Sequence, residues 1–124
     1  VIYTILGAII FGVILFFYLF PPISVIGDSM YPTYKDGEVI LGTRLYIISN
    51  LKKGDVILYS TLNSEGQEHI VIKRIFDIKK CGKEYQFYCL GDNSDVSYDS
   101  RYYGYISSKQ LVCKVVNQRS VKKR

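Results

Sequence analysis

The chain has one histidine, His69, and no Cys-x-x-C pair or Cys/His cluster. A metal site is therefore not expected, because zinc needs three or four such ligands brought together. Its three cysteines are an odd number, so at least one is unpaired within the chain. Cys81 and Cys89 flank a short candidate hairpin and are the two that could pair in an oxidising compartment. Cys113 reads as a small buried apolar residue. There is no internal repeat and no amphipathic helix of useful length. No recognition motif accompanies the basic charge, so nucleic acid is not an expected partner. No charged side chain stands before Asp28.

That absence of charge leads to what is present. Val1 to Phe20 is a continuous apolar run, about 30 Å long as a helix, which matches a bilayer core. Tyr3 and Tyr18 fall where interfacial rings are favoured. Pro21-Pro22 stops the helix, since neither residue offers an amide donor. A buried core helix would rarely run so long without a polar face. A cleaved leader is the other reading, but Phe-Pro-Pro-Ile lacks the small residues of a cleavage site. We expect a retained single-pass anchor at 1–20 and one domain at 21–124. The chain opens on valine, which reads as a fragment. Charge does not set the orientation, because the domain after the anchor is not a short loop.

Sixteen Lys and Arg against eleven Asp and Glu give a formal charge of +5. Lys114, Arg119, Lys122, Lys123 and Arg124 supply much of it near the C-terminus. Two readings stand: attraction to anionic lipid headgroups, or a solvated tail.

Beyond Pro22 the pattern is β. Glu38 to Thr43 is a short strand after the turn signal Lys35-Asp36-Gly37. Val56 to Tyr59 follows Lys53-Gly54-Asp55. Glu68 to Ile78 is a long β-branched run, Lys80 to Lys83 its turn and Glu84 to Leu90 the returning strand. Gly91 to Gly104 is too polar for a strand. Leu111 to Val116 closes the domain. The expected class is mostly β: a compact antiparallel domain behind one helix, with closure of its edges into a barrel as the expected way to protect them.

Serine becomes a nucleophile when a base takes its proton. His69 is the only histidine available, and it reads better as an ordinary strand residue. A lysine serves instead if burial keeps it neutral, because desolvation penalises the ammonium form. In Ile70-Val71-Ile72-Lys73-Arg74-Ile75, strand alternation puts Val71, Lys73 and Ile75 on one face and Arg74 on the other. Ser29 stands in Gly27-Asp28-Ser29-Met30, three residues before Pro32. Taken alone, Ser29 is an ordinary turn serine and Lys73 an ordinary strand lysine. Ser-Lys dyads are an established pairing of nucleophile and base.

Three blocks occur in order: Ser29-Met30-Tyr31-Pro32, then Lys73-Arg74, then Gly91-Asp92-Asn93 with Ser97-x-Asp99-Ser100-Arg101. Together they resemble the type I signal peptidases, membrane-bound serine proteases that remove secretory signal peptides. The resemblance implies Ser29 as nucleophile and Lys73 as general base. It implies that Ser97 hydrogen-bonds the lysine amine, and that Asp99 and Arg101 form an ion pair holding the loop against the dyad. No cofactor is implied. The Ser29 amide is the natural first oxyanion donor. Some members of the family carry a second donor as a hydroxyl two residues earlier, where this chain has Gly27. Edges near Ser24–Ile26 and Ile70–Ile72 would pair with an extended substrate, and Ile26, Met30, Val71 and Ile72 would wall small pockets. The expected partners are secretory pre-proteins and the lipid bilayer, with a monomer whose catalytic domain lies outside the cytoplasm. Alternatives are a self-cleaving peptidase of the LexA type and an inactive tethered binding domain.

Overall fold

The computed structural model describes residues 1–121, so Lys122, Lys123 and Arg124 of the basic tail lie outside the described residues. Helix α1 spans Ile2–Leu19 and buries none of its residues. It is long and apolar enough to cross a membrane. The two prolines do more than stop it. Pro21 accepts a hydrogen bond from the Gly42 amide at 2.9 Å, and Pro22 opens the first strand. Proline suits that position, at the start of an edge strand.

The remaining elements are β1 (Pro22–Ser24), β2 (Val39–Thr43), β3 (Val56–Leu62), β4 (Glu68–Cys81), β5 (Glu84–Leu90), a one-turn helix α2 (Ser100–Tyr103), β6 (Ile106–Ser107) and β7 (Leu111–Val115). They form one antiparallel sheet in the order β1-β2-β7-β3-β4-β5-β6. The described pairings leave β1 and β6 as its edges, so the expected barrel is not closed by hydrogen bonding.

β3 is central and buried on both faces, which explains its unbroken run Val56-Ile57-Leu58-Tyr59. Val56 and Leu58 join Val25, Met30, Tyr34, Ile40, Ile72 and Val115 in one core cluster. Ile57 and Tyr59 join Ile75, Phe87, Cys89 and Ile106 in the other. Burying such side chains contributes about 1.5–3 kcal/mol each before entropy is counted. β4 separates the same two cores, with Ile72 in the first and Val71 and Ile75 in the second.

Two features of β4 prepare the site. Its second half, from Arg74 to Cys81, pairs with β5, but its first half, Glu68 to Lys73, has no β5 partner. A register shift between Ile75 and Asp77 then twists the strand where that pairing begins. The hairpin turn is tighter than the sequence suggested, because β4 continues to Cys81 opposite Glu84. Cys89 lies opposite Ile75 and is buried, while Cys81 is exposed, so the two do not pair. Cys113 is buried as expected.

The charges near the C-terminus that are described are not a free tail. Lys114 pairs with Asp55 at 3.7 Å. Arg119 pairs with Glu38 at 2.5 Å, donates to the Thr33 carbonyl at 3.0 Å and covers the Tyr34 ring.

Candidate active site

Ser29 sits in the turn that follows β1. The Tyr31 amide donates to the Asp28 carbonyl at 3.1 Å, and the Tyr34 amide donates to Met30 at 2.9 Å. Gly27 stands before it at a φ of 84°, a left-handed conformation that disfavours any side chain. Its amide donates to Asp36 at 2.8 Å. The backbone therefore explains why no hydroxyl residue occupies that position. Among the described residues, the Ser29 amide has no acceptor.

Lys73 is only 3% exposed, in the middle of β4 and opposite Ile57. Burial pulls its pKa down to about 8; Asp99 opposes that shift and Arg101 adds to it. The amine thus titrates near pH 8, well below an ordinary lysine, so its neutral form is within reach under mildly alkaline conditions. Ser29 and Lys73 line one cleft of about 560 Å3. No hydrogen bond joins them among the described residues, which is common before a substrate tightens a site.

The third block locks both segments together. The Asn93 amide donates to the Ser29 carbonyl at 2.8 Å, and the Asn93 side chain donates to the Asp28 carbonyl at 3.0 Å. Arg74, next to Lys73 but facing away, grips Asp92 with two bonds of 2.9 and 2.8 Å and donates to the Gly54 carbonyl at 2.8 Å. Gly91 lies where these segments meet. A Cβ there would stand 2.1 Å from Ser97 Oγ and 2.7 Å from the Ser29 carbonyl oxygen, so only glycine fits. The sequence marked Gly91, Asp92 and Asn93 as part of a motif without showing these contacts.

Asp99 is fully buried. Burial alone would raise its pKa, but bonds from Arg101, Ser97 and the Gly91 amide outweigh it and hold the pKa near 2. Arg101 donates through Nε at 2.9 Å and through a terminal nitrogen at 2.6 Å, which gives the expected ion pair. Asp99 also caps α2 by accepting from the Arg101 amide. Ser97 donates to Asp99 Oδ2 at 2.6 Å. The Ser97 proton is thus committed to Asp99, and no bond from Ser97 to Lys73 is formed among the described residues. Cys89, close behind, has its thiol pushed up to about 12 by burial and by Asp99, so it stays protonated and does not compete as a nucleophile.

Of the expected pocket residues, Ile26, Val71 and Ile72 line the cleft. Met30 does not. It is 1% exposed in the first core cluster, and its sulfur accepts from the Asp92 amide at 3.4 Å. A turn residue directly after Ser29 points inward where the chain reverses, and Met30 fills the core beneath the nucleophile. The cleft is completed by Ile23, Leu58, His69, Ile70, Val96 and Tyr98. Val96 and Tyr98 flank Ser97, and that adjacency was the signal for them. His69 is half-buried, with Nδ1 3.2 Å from the Thr61 carbonyl oxygen. On β4 it shares the Lys73 face but stands four residues away, about 13 Å.

Comparison with known proteins gives the family. The family model "Signal peptidase, peptidase S26" matches residues 1–79 and 78–118. The chain is similar to Signal peptidase I T of Bacillus subtilis (strain 168), with 34% identity over 69 residues. The match covers 55% of this chain and 34% of that relative, so it spans about a third of the relative's length. With a buried lysine, a turn serine and the loop that joins them on one cleft, and with the family match running along most of its length, this chain belongs to the signal peptidase family, peptidase S26.

Proposed function

We propose that the chain is a membrane-anchored serine endopeptidase that removes N-terminal signal peptides from secretory pre-proteins. Residues 1–20 anchor it, and 21–124 form a monomeric catalytic domain on the extracytoplasmic side. The observation that carries this reading is Lys73, an almost fully buried lysine with a pKa lowered to about 8 in the same cleft as Ser29.

Lys73 in its neutral form takes the Ser29 Oγ proton as Oγ attacks the scissile carbonyl. The oxyanion forms beside the Ser29 amide, which is positioned to donate to it. The resulting Lys73 ammonium returns the proton to the leaving amine, and the mature protein departs. A water, deprotonated by Lys73, then releases the signal peptide from the acyl-enzyme. Ser97 donates its hydroxyl hydrogen bond to Asp99, so toward the dyad its oxygen is left as an acceptor. An N–H of Lys73 directed at that oxygen as substrate tightens the site would leave the amine lone pair for Ser29. Arg101 keeps Asp99 ionised and so maintains the direction of this chain.

The substrate would lie as a strand between two free edges. β1, with the Ile26 segment after it, lines one side of the cleft, and the half of β4 that has no β5 partner lines the other. Branched side chains at Ile23, Leu58, Ile70 and Ile72 leave room for residues such as alanine, which matches a small-x-small cleavage site. The test is cleavage of a pre-protein in detergent. Wild-type protein should cut after the small-x-small site and Ser29→Ala should not. Equal cutting by a folded Ser29→Ala protein would overturn the reading.

A further inference from the structure

Acyl transfer asks Ser29 to aim two groups at one carbonyl: its Oγ at the carbon and its amide at the oxygen. Gly27 brings no hydroxyl to the site, which leaves the developing oxyanion to the Ser29 amide. The direction of that amide has an identifiable cause. A trans peptide unit points its C=O and its N–H to opposite sides. The unit that joins Asp28 to Ser29 is trans, and it holds both the Asp28 C=O and the Ser29 N–H. Whatever holds the Asp28 oxygen therefore sets where the Ser29 N–H points.

Two donors hold that oxygen, Asn93 Nδ2 at 3.0 Å and the Tyr31 amide at 3.1 Å. The Tyr31 bond is local to the turn. Asn93 arrives from 65 residues along the chain and makes a second contact, its own amide donating to the Ser29 carbonyl at 2.8 Å. It thus grips the peptide units on both sides of the Ser29 Cα. The orientations of those two planes are the φ and ψ of Ser29, so one residue fixes the backbone that carries both Oγ and N–H. Two hydrogen bonds on the Asp28 oxygen also polarise the unit and strengthen the Ser29 N–H as a donor.

The rest of the Asn93 side chain is poorly served. The residue is 7% exposed, and among the described residues its Oδ1 is buried with no donor. A buried unpaired acceptor costs stability. Turning the amide over gives no relief, because Oδ1 would then face the Asp28 oxygen, acceptor against acceptor. A leucine has a similar shape and carries no such penalty, so folding alone does not call for asparagine here. What asparagine supplies is the side-chain N–H on the Asp28 carbonyl.

We propose that Asn93 is a positioning residue for the oxyanion site: by holding the Asp28 and Ser29 carbonyls, it aims the Ser29 amide at the oxygen that becomes charged during acyl transfer. The proposal rests on the signal-peptidase reading above and adds a residue to it. Asn93 is not one of the residues lining the cleft, so it acts through the Ser29 backbone and not on the substrate.

The test uses full-length Asn93→Asp and Asn93→Leu proteins in detergent. Aspartate keeps the shape but sets an acceptor against the Asp28 carbonyl; leucine removes both the donor and the unpaired oxygen. Each should lower kcat on a pre-protein about 100-fold, with KM within about twofold of wild type. The midpoint of the pH profile should stay where wild-type protein has it, because Lys73 is untouched. A pair of probes separates positioning from general damage: a peptide aldehyde and the matching peptide carboxamide. Ser29 Oγ adds to the aldehyde carbon, the π pair of the C=O moves to its oxygen, and the Oγ proton passes to Lys73. That oxygen then stands where the oxyanion forms, whereas the carboxamide binds without reacting. The ratio of aldehyde to carboxamide affinity should fall about 100-fold in both variants, while a loosened fold would weaken both probes alike. A wild-type ratio in both variants, or a displaced pH midpoint, would overturn the proposal. Failure of wild-type protein to cut the pre-protein would instead sink the enzymatic reading. The amide proton resonance of Ser29, recorded by NMR without substrate, then still decides the backbone claim. It should move in both variants, and an unmoved resonance would overturn the role given to Asn93.

Discussion

At the scale of single residues, Lys73 sets function against stability. Its folded pKa of about 8 lies below the ordinary 10.5, so the folded state holds fewer protons than the unfolded state between those values. Stability should therefore rise with pH across that window, and below about pH 8 the buried amine carries its full penalty. Lys73→Met should be inactive yet more stable at pH 7, by up to about 3 kcal/mol in chemical denaturation. Lys73→Arg should be both inactive and destabilised, since a guanidinium stays charged. A less stable Lys73→Met protein would contradict this account of the buried amine. The same pKa predicts that kcat/KM climbs with pH and reaches half its plateau near pH 8. A flat profile with chemistry rate-limiting would exclude Lys73 as the titrating base. Asp99 has the opposite sign. Its pKa, held near 2, gives stability that is present above about pH 4 and is lost as pH falls through 2.

At the scale of elements, the segment from Gly91 to Arg101 matters most. It touches the turn carrying Ser29 and the strand carrying Lys73, and it has its own cap in Asp99. Gly91→Ala should push Ser97 and the Ser29 backbone apart. A displacement of about 1 Å is enough for roughly 100-fold in rate, so kcat should fall at least that far while the protein stays folded by circular dichroism. Wild-type kcat in this variant would show that the contact is not critical. Most strands were legible in the sequence because their patterns are local. Glu84–Leu90 and the start of β4 at Glu68 agree with their apolar and β-branched runs. The elements missed are those whose cause lies elsewhere in the chain. β1 is three residues beginning with proline and is a strand only because β2 pairs with it. α2 is a single turn that exists because Asp99 caps it inside a loop of Gly, Asp and Ser. Serine and lysine were visible as a motif. The inward turn of Met30 and the hold of Arg74 on Asp92 depend on contacts between distant segments, which spacing cannot reveal.

At the scale of the whole molecule, α1 and the sheet are joined by few bonds: Arg44 to the Tyr18 and Leu19 carbonyls, its guanidinium over the Tyr18 ring, and Gly42 to Pro21. None of the proposed catalytic side chains comes from α1. Protein lacking residues 1–20 should therefore cut short peptides at close to the full-length rate. It should be slower on pre-protein embedded in vesicles, because tethering raises the local concentration of enzyme at the cut. Equal rates on vesicle-borne substrate would limit the anchor to localisation. The first half of β4, paired with β3 on one side and open on the other, has a further consequence. An edge of this kind recognises main chain before it recognises side chains, so any segment that can lie straight for several residues is a candidate occupant, and a segment already coiled or folded is not. Timing then becomes part of selectivity. Under the proposed function, a pre-protein would be open to cleavage while its junction is still slack, and once the newly exported domain packs against that junction, the same bond would be closed without any change in sequence.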